Sequence, residues 1–133
     1  MLENLVIQRT DNSPHINFDL EKGLLELEGE CRPENVKLFF DPILEWIEKY
    51  KIELKPNRSQ KTINTNFRLE YFNSSSAKYI LELMNSINQI EIINLNIVVI
   101  FNWFVNTGDD DLIESGKELS LMSNIRINII QTK

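Results

Sequence analysis

The chain has 133 residues, of which 42% are apolar and 26% charged, as in an ordinary globular protein of one domain. Twenty acidic residues against fourteen basic ones give a net charge of −6, which argues against nucleic acid as a partner, because phosphate binding relies on clustered basic charge. We therefore expect one domain over residues 1–133.

Short strands are predicted in the first third of the chain. Leu5 and Ile7 belong to the first of them. Apolar and polar residues then alternate over 16–20 and 25–29, on either side of a turn at Lys22-Gly23. This pattern predicts a hairpin.

A first helix is predicted to start at residues 33–35 (Pro-Glu-Asn), because proline fits the first turn and an early glutamate suits the helix dipole. Apolar residues follow at helical spacing as far as Tyr50. Pro42 interrupts this run, so we expect it to kink the helix, or Asp41 to cap a second helix there.

The rest of the chain alternates strands with helices. In chain order the predicted elements are a strand over 62–71, a helix over 77–90, a strand over 95–104, a helix from 109 and a strand over 125–129. Tyr71 lies on the apolar side of the first of these strands, and Met122 on the inner side of the last helix. The strand over 95–104 is apolar on both faces and is expected at the centre of the sheet.

The resulting order, β-β-β-α-β-α-β-α-β, predicts an α/β fold with a mixed sheet. The N-terminal strands are expected to be antiparallel, and the strands joined by helices parallel. Because most strands have one polar face, we expect the helices mainly on one face of the sheet.

The sequence holds few groups that could do catalytic chemistry. His15 is the only histidine, so no second histidine completes a metal site. Cys31 is the only cysteine, and although Arg32 beside it could lower the pKa of the thiol, no histidine partner marks it as a nucleophile. Glycine-rich nucleotide-binding motifs are absent. We predict neither enzymatic activity nor a cofactor.

The predicted location is the cytoplasm, without insertion into a membrane. The N-terminal residues lack the basic and apolar regions of a signal peptide. The most apolar stretch, 95–105, is interrupted by two asparagines and has about half the length of a membrane span. A lone cysteine fits a reducing compartment.

Asp109, Asp110 and Asp111 form a carboxylate cluster. At a helix N-terminus such carboxylates accept hydrogen bonds from free N–H groups and oppose the positive end of the dipole. Two alternatives stay open, an acidic patch that faces a partner and a magnesium site that shares a substrate phosphate. Trp103, at the end of the preceding strand, is expected either in the core or as an anchor for a partner.

The stretch Asn73 to Ser76 (Asn-Ser-Ser-Ser) joins a predicted strand to a predicted helix. Asparagine and serine are favoured N-cap residues, because their side-chain oxygens accept hydrogen bonds from the first turn. Four such residues exceed what a cap requires, and a phosphoserine at a helix start is stabilised by the free N–H groups and the dipole. The residues alone leave both readings open, a cap only or a phosphorylation site.

The strands before this stretch and before Asp109 both lead into helices. If they are parallel, their carboxyl ends lie at the same edge of the sheet, where α/β proteins gather their ligand-facing loops. A phosphate at 73–76 would then lie near residues 109–111, and the like charges would repel. We predict that phosphorylation changes the charge of a partner-binding surface formed by Asn73, Ser75 and the three aspartates.

Several stretches together match one family pattern, and the most specific of them is 69–78, with the sequence LEYFNSSSAK. The supporting ones are Arg9-Thr10, Ser13-Pro14, Phe18-Asp19, Gly29-Glu30, residues 33–35, Phe39, Pro42, Trp103, Asp109 to Asp111 and residues 116–120. In these stretches the chain resembles the SiaC family of bacterial regulatory phosphoproteins over nearly its whole length.

The resemblance implies a fold related to anti-sigma-factor antagonists (STAS-like domains) and a reversibly phosphorylated hydroxyl at the strand-to-helix turn. In this family a Ser/Thr kinase of histidine-kinase-like fold modifies the residue after the asparagine, and a PP2C-type phosphatase removes the phosphate. Carried onto this chain, the modified residue is Ser74, where the family pattern favours threonine. Ser75 and Ser76 are alternatives, and with Ser74 modified they are expected to cap the helix.

The resemblance also implies a target. The unphosphorylated form would bind and activate a diguanylate cyclase (a GGDEF protein), which raises cyclic di-GMP and promotes biofilm formation or aggregation. Two other functions stay as alternatives. An anti-sigma-factor antagonist in a partner-switching module would use the same switch on a different target, and a small metal-dependent enzyme would use Asp109 to Asp111.

Overall fold

Six strands and four helices make up residues 1–132, the part of the chain that the structure, a computed structural model, describes. In chain order they are β1 (Leu5–Ile7), β2 (His15–Asp19), β3 (Leu24–Cys31), α1 (Val36–Leu54), β4 (Lys61–Phe72), α2 (Ser74–Asn88), α3 (Ile90–Ile93), β5 (Ile97–Asn106), α4 (Asp110–Ser123) and β6 (Ile127–Thr132). The single domain predicted over 1–133 includes Lys133, which lies outside the described residues.

The strands form one mixed sheet in the order β1-β2-β3-β4-β5-β6. The first three pair antiparallel, and β3 to β6 pair parallel. The turn between β2 and β3 contains Gly23 at φ +61°, which confirms the predicted hairpin and its need for glycine. Parallel neighbours are joined through helices, because a crossover must return the chain to the same end of the sheet. The predicted α/β class and mixed sheet are confirmed.

The helices pack on one face of the sheet, as predicted. Alternate strand residues on that face, such as Phe18, Leu27 and Phe67, join the inner residues of the helices in one hydrophobic core. The opposite face is polar along a row that crosses the sheet. Asn102 Nδ2 donates to Asn66 Oδ1 at 2.9 Å in this row, and Asn128 Nδ2 donates to Asn102 Oδ1 at 3.3 Å.

The prediction that the apolar stretch 95–104 forms a strand at the centre of the sheet is wrong in two respects, the place of the strand in the sheet and the burial of its faces. The strand is β5, which begins at Ile97 and is second from one edge of the sheet. Leu95 precedes it and is 90% exposed, and Val98 on the open sheet face is 50% exposed. Only one face of this strand is buried, because the described helices cover only one side of the sheet.

Helix α1 runs without a break through Pro42, so Asp41 does not begin a second helix. The proline ring removes one backbone donor near the N-terminal end, where the exposed face of the helix gives the freed carbonyl access to water. Asn35 caps the helix by accepting a hydrogen bond from the Leu38 N–H at 3.0 Å.

Within residues 1–132, no helix combines the length and apolar character that a membrane span requires.

Trp103 belongs to the core and is not a surface anchor. Its side chain is 1% exposed, and its indole Nε1 donates to the Leu112 carbonyl oxygen at 2.9 Å. Helix α4 approaches so closely that a Cβ on Gly116 would lie 2.7 Å from Trp103 Cδ1. Glycine at 116 is therefore a packing requirement. Met122 does not face inward as predicted, because α4 buries mainly Gly116 and Leu119.

Candidate functional site

The carboxyl end of β4 contains an irregularity that the sequence pattern does not reveal. Gly29 of β3 pairs with Leu69, whereas the next residue, Glu30, pairs with Tyr71, so Glu70 is an extra residue in β4. The insertion reverses the alternation of side chains. Tyr71 is exposed, contrary to its predicted inward position, and Phe72 turns toward the core.

Two contacts hold this bulged end in place. The Phe72 ring packs edge-on against Trp103 with the ring centroids 5.8 Å apart. Arg9 Nη1 donates to Glu70 Oε2 at 2.8 Å, and this hydrogen bond holds the pKa of the exposed Glu70 carboxyl below its usual range. The end of the strand is thus fixed from both its faces, and the following turn starts from a defined position.

Asn73 is the N-cap of α2. Its side-chain Oδ1 accepts a hydrogen bond from the Ser76 N–H at 2.9 Å, and its own N–H donates to the Cys31 carbonyl oxygen at 3.2 Å. The three serines form the first turn of the helix. The expectation that Ser75 and Ser76 supply the cap is wrong, because the asparagine alone fills that role.

Exposure separates the three serines. Ser74 and Ser75 are exposed, whereas Ser76 is fully buried. A modifying enzyme requires access to the hydroxyl, so the described surface presents Ser74 and Ser75 but not Ser76. This distinction arises because the third residue of the helix faces the sheet, whereas the first two face solvent.

Cys31 lies beneath this first turn as an unreactive thiol. It is fully buried, and burial raises the pKa of the thiol to about 11, a shift that the neighbouring Ser76 hydroxyl opposes only in part. Arg32 does not activate it, since Arg32 Nε donates to Glu30 Oε2 at 2.6 Å. A protonated, inaccessible thiol does not serve as a nucleophile.

Ser74 lies on the rim of a groove between α2 and α4. The groove has a volume of about 280 Å³, and apolar side chains from the end of β4 and from both helices form most of its lining, namely Phe72, Ala77, Leu81, Leu119 and Met122. Lys78 of α2 and Glu118 of α4 bring opposite charges to it. The 69% exposure of Met122, unexpected for an inner helix residue, is explained by its place in this groove. We call this feature the α2–α4 groove.

The acidic cluster lies beside this groove. Asp109 caps α4 by accepting a hydrogen bond from the Leu112 N–H at 3.2 Å, as predicted for a carboxylate at a helix N-terminus. Asp110 and Asp111 are exposed in the first turn. Asp109 and Asp111 line a second cavity of about 270 Å³ together with Phe72 and Ser115, two residues that also line the α2–α4 groove.

The prediction that residues 73–76 and 109–111 lie at the same edge of the sheet is confirmed, since β4 and β5 are parallel neighbours and the turns after both lie at their carboxyl ends.

The alternative magnesium site gains no support from the geometry. Among residues 1–132, no group of three or more His, Cys, Asp or Glu side chains could hold a metal ion. His15 begins β2 opposite Glu28 of β3, and the strands β3 and β4 separate β2 from β5, the strand that leads to the acidic cluster.

Sequence reasoning missed the residues of the groove itself. Lys78, Leu81 and Glu118 are scattered along two helices and meet only when α2 and α4 pack side by side. One signal was present, because Lys78 follows Ser74 by four residues and therefore lies one helical turn beyond it on the same face.

Replacing Asn73 with alanine is expected to lower the free energy of unfolding by about 1 kcal/mol, the usual value of an N-cap side chain. The Ser76 N–H loses its acceptor, so its hydrogen exchange should become faster. Urea denaturation and amide exchange measured by NMR check both effects. Asn73→Asp retains a cap oxygen and serves as the control. An alanine variant as stable and as protected as the wild type would show that the cap contributes nothing.

Comparison with known proteins gives consistent matches. The family model for the SiaC family regulatory phosphoprotein matches residues 7–132. An uncharacterised protein of Pseudomonas aeruginosa strain UCBPP-PA14 is 26% identical over 88 residues, which are 66% of this chain and 66% of that protein. The family match covers nearly the whole chain, including the bulged strand end, the Asn73 turn and the acidic cluster.

Solved structures show the same fold. Apo-SiaC from Pseudomonas aeruginosa has a TM-score of 0.79 and 22% identity, with 96% of this chain and 98% of that chain covered. The SiaC activator in complex with the diguanylate cyclase SiaD, also from Pseudomonas aeruginosa, has a TM-score of 0.81 and 22% identity, with 96% and 99% covered. At this level of identity the likeness shows the fold.

Proposed function

The chain belongs to the SiaC family of regulatory phosphoproteins, and on that premise we propose that it is a phosphorylation-switched adaptor that acts in the cytoplasm. It is a regulatory protein and not itself an enzyme. Its unphosphorylated form binds and activates a diguanylate cyclase. The structure of the diguanylate cyclase SiaD in complex with its activator SiaC from Pseudomonas aeruginosa supports this target. Phosphorylation of Ser74 ends this interaction.

One observation carries the choice of Ser74. Asn73 alone caps α2, so the exposed Ser74 hydroxyl has no part in the cap and lies instead on the rim of the apolar α2–α4 groove. Ser75 is also exposed but does not line the groove, and Ser76 is buried. A charge added at Ser74 therefore changes the groove most directly.

The modification itself requires no group from this chain other than the hydroxyl. A Ser/Thr kinase of histidine-kinase-like fold transfers the terminal phosphoryl group of a nucleoside triphosphate to Ser74 Oγ. Ser74 Oγ loses its proton as the new P–O bond forms, and the nucleoside diphosphate leaves. A PP2C-type phosphatase hydrolyses the ester with water and releases inorganic phosphate. Each cycle returns the same serine.

The partner surface combines the groove with the acidic cluster. Its apolar lining would supply the water-excluded centre of a protein interface. We assign the polar rim to Asn73, Ser75 and Asp109 to Asp111, of which Asp109 and Asp111 line the adjoining cavity. A phosphoserine carries a charge of about −1.5 to −2 and would place it next to these carboxylates. Both the added charge and its hydration oppose the burial of the groove under a partner.

Affinity purification from the native host tests the proposal, with wild-type and Ser74→Ala protein as baits and mass spectrometry to identify the recovered partner. We expect a GGDEF-domain cyclase with both baits, and with Ser74→Ala a recovery that no longer depends on the phosphorylation state of the cell. Recovery of a sigma-factor regulator in place of a cyclase would instead support an anti-sigma-factor antagonist. Phosphate found only outside residues 74–76 would overturn the switch.

A further inference from the structure

Lys78 is an exposed cation in the same groove as the proposed phosphorylation site. It follows Ser74 by one helical turn, and both residues line the α2–α4 groove. It takes part in none of the ion pairs found among residues 1–132. The position is unusual in this chain, because most lysines and arginines on its helices already have a carboxylate partner.

We propose that a phosphate on Ser74 is bound by the ammonium group of Lys78, and that this ion pair covers the α2–α4 groove. The inference rests on the proposed phosphorylation of Ser74 and adds how the modified form closes the partner surface.

The other nearby cations are already engaged. Arg32 Nε lies 2.6 Å from Glu30 Oε2, and Arg9 Nη1 lies 2.8 Å from Glu70 Oε2. Each of these arginines would have to lose its carboxylate to reach a phosphate. Lys78 loses no partner, and its long, flexible side chain can turn toward the first turn of its own helix.

The charges around the groove explain why the phosphate needs a cation there. Glu118 lies on the opposite side of the groove, and Asp111 lies in the adjoining cavity. Among the described residues that line the groove, Lys78 is the one cation, so Lys78 and the helix N-terminus are the groups that attract a phosphate dianion there. The resulting ion pair extends from the first turn of α2 to the second, beside the apolar residue Ala77. A partner must then displace a hydrated ion pair before it reaches the apolar lining.

The test uses protein with phosphoserine incorporated at position 74, as wild type and as Lys78→Gln, and follows the phosphate by ³¹P NMR during a pH titration. Loss of the ammonium group destabilises the dianion, so the second pKa of the phosphoserine should rise by a few tenths of a unit in Lys78→Gln, as expected for one helical ion pair. Lys55→Gln, which makes the same change in net charge at the far end of α1, is the control and should leave this pKa unchanged.

The covering of the groove has its own readout. The chain has three methionines, of which Met122 alone lines the groove, so a spectrum of ¹³C-labelled methionine methyl groups reports on it directly. Phosphorylation should shift the Met122 signal in the wild type and shift it less in Lys78→Gln. Equal phosphoserine pKa values and equal Met122 shifts in the two proteins would overturn the inference. The proposed function fails separately, if phosphorylated and unmodified wild type bind the cyclase with the same affinity.

Discussion

Phosphoserine at position 74 is expected to weaken binding of the partner cyclase about tenfold to a hundredfold, since we expect the enclosure of the added charge in an interface to cost about 1.4–2.8 kcal/mol. Ser74 lies on the rim of an apolar groove whose surroundings already include Glu118 and Asp111. The partner would have to remove water from the phosphate without supplying a matching set of donors. The unmodified serine imposes no such cost, because a small hydroxyl at the rim can keep its contact with water.

Titration calorimetry with the purified cyclase measures this effect. Ser74→Ala should bind as tightly as the wild type, because the hydroxyl has no part in the Asn73 cap. Phosphoserine at Ser59, an exposed position in the loop between α1 and β4, adds the same charge away from the groove and should leave the affinity nearly unchanged. If the proteins modified at 59 and at 74 lose affinity equally, net charge and not the groove controls binding.

Replacing Trp103 with alanine is expected to lower the free energy of unfolding by about 3–5 kcal/mol, the range found when a large aromatic side chain is removed from a core. The indole is 1% exposed and packs against Phe67, with the ring centroids 5.5 Å apart, and against Phe72. Loss of the indole leaves a cavity between β5 and α4. The residue of α4 that packs against the indole is Gly116, which has no side chain to fill the space.

Urea denaturation followed by circular dichroism measures the change. Tyr71→Ala, which removes a 49% exposed aromatic ring from the end of the neighbouring strand, is the control and should cost far less. Trp103→Phe keeps most of the volume but leaves the Leu112 carbonyl oxygen without its indole donor, so we expect a loss of about 1–3 kcal/mol. Equal stability of Trp103→Phe and the wild type would show that this hydrogen bond contributes nothing. The effect matters for function, because Trp103 supports Phe72 and α4, which form two sides of the groove.

The order of elements was predictable because each signal is local. Alternation with period two, helical spacing and the capping residues Asn73 and Asp109 are read from neighbouring residues. The start of α1 was predicted less well, because Pro33 and Glu34, expected in its first turn, precede the cap at Asn35. From the order of strands and helices, the right-handed crossover rule then yields the parallel half of the sheet and the shared edge of the two functional turns. The relation of the fold to anti-sigma-factor antagonists stays a prediction of the resemblance.

The errors concern properties that depend on contacts between distant residues. Tyr71 faces solvent because the pairing of β3 with β4 places an extra residue at Glu70, and a single strand carries no sign of its partner's register. The face of β5 that carries Val98 stays open because the described helices lie on the other side of the sheet, which apolar content alone does not show.

For the Asn73 turn, the sequence by itself determined that a capped helix with serine hydroxyls in its first turn begins at the carboxyl end of a strand. Only the tertiary structure decided that Ser76 is buried next to Cys31, that Asn73 caps the helix without the serine side chains, and that Ser74 borders an apolar groove. The physical reason is that capping involves atoms a few residues apart, whereas burial and the groove arise from the packing of α2 and α4 on one sheet.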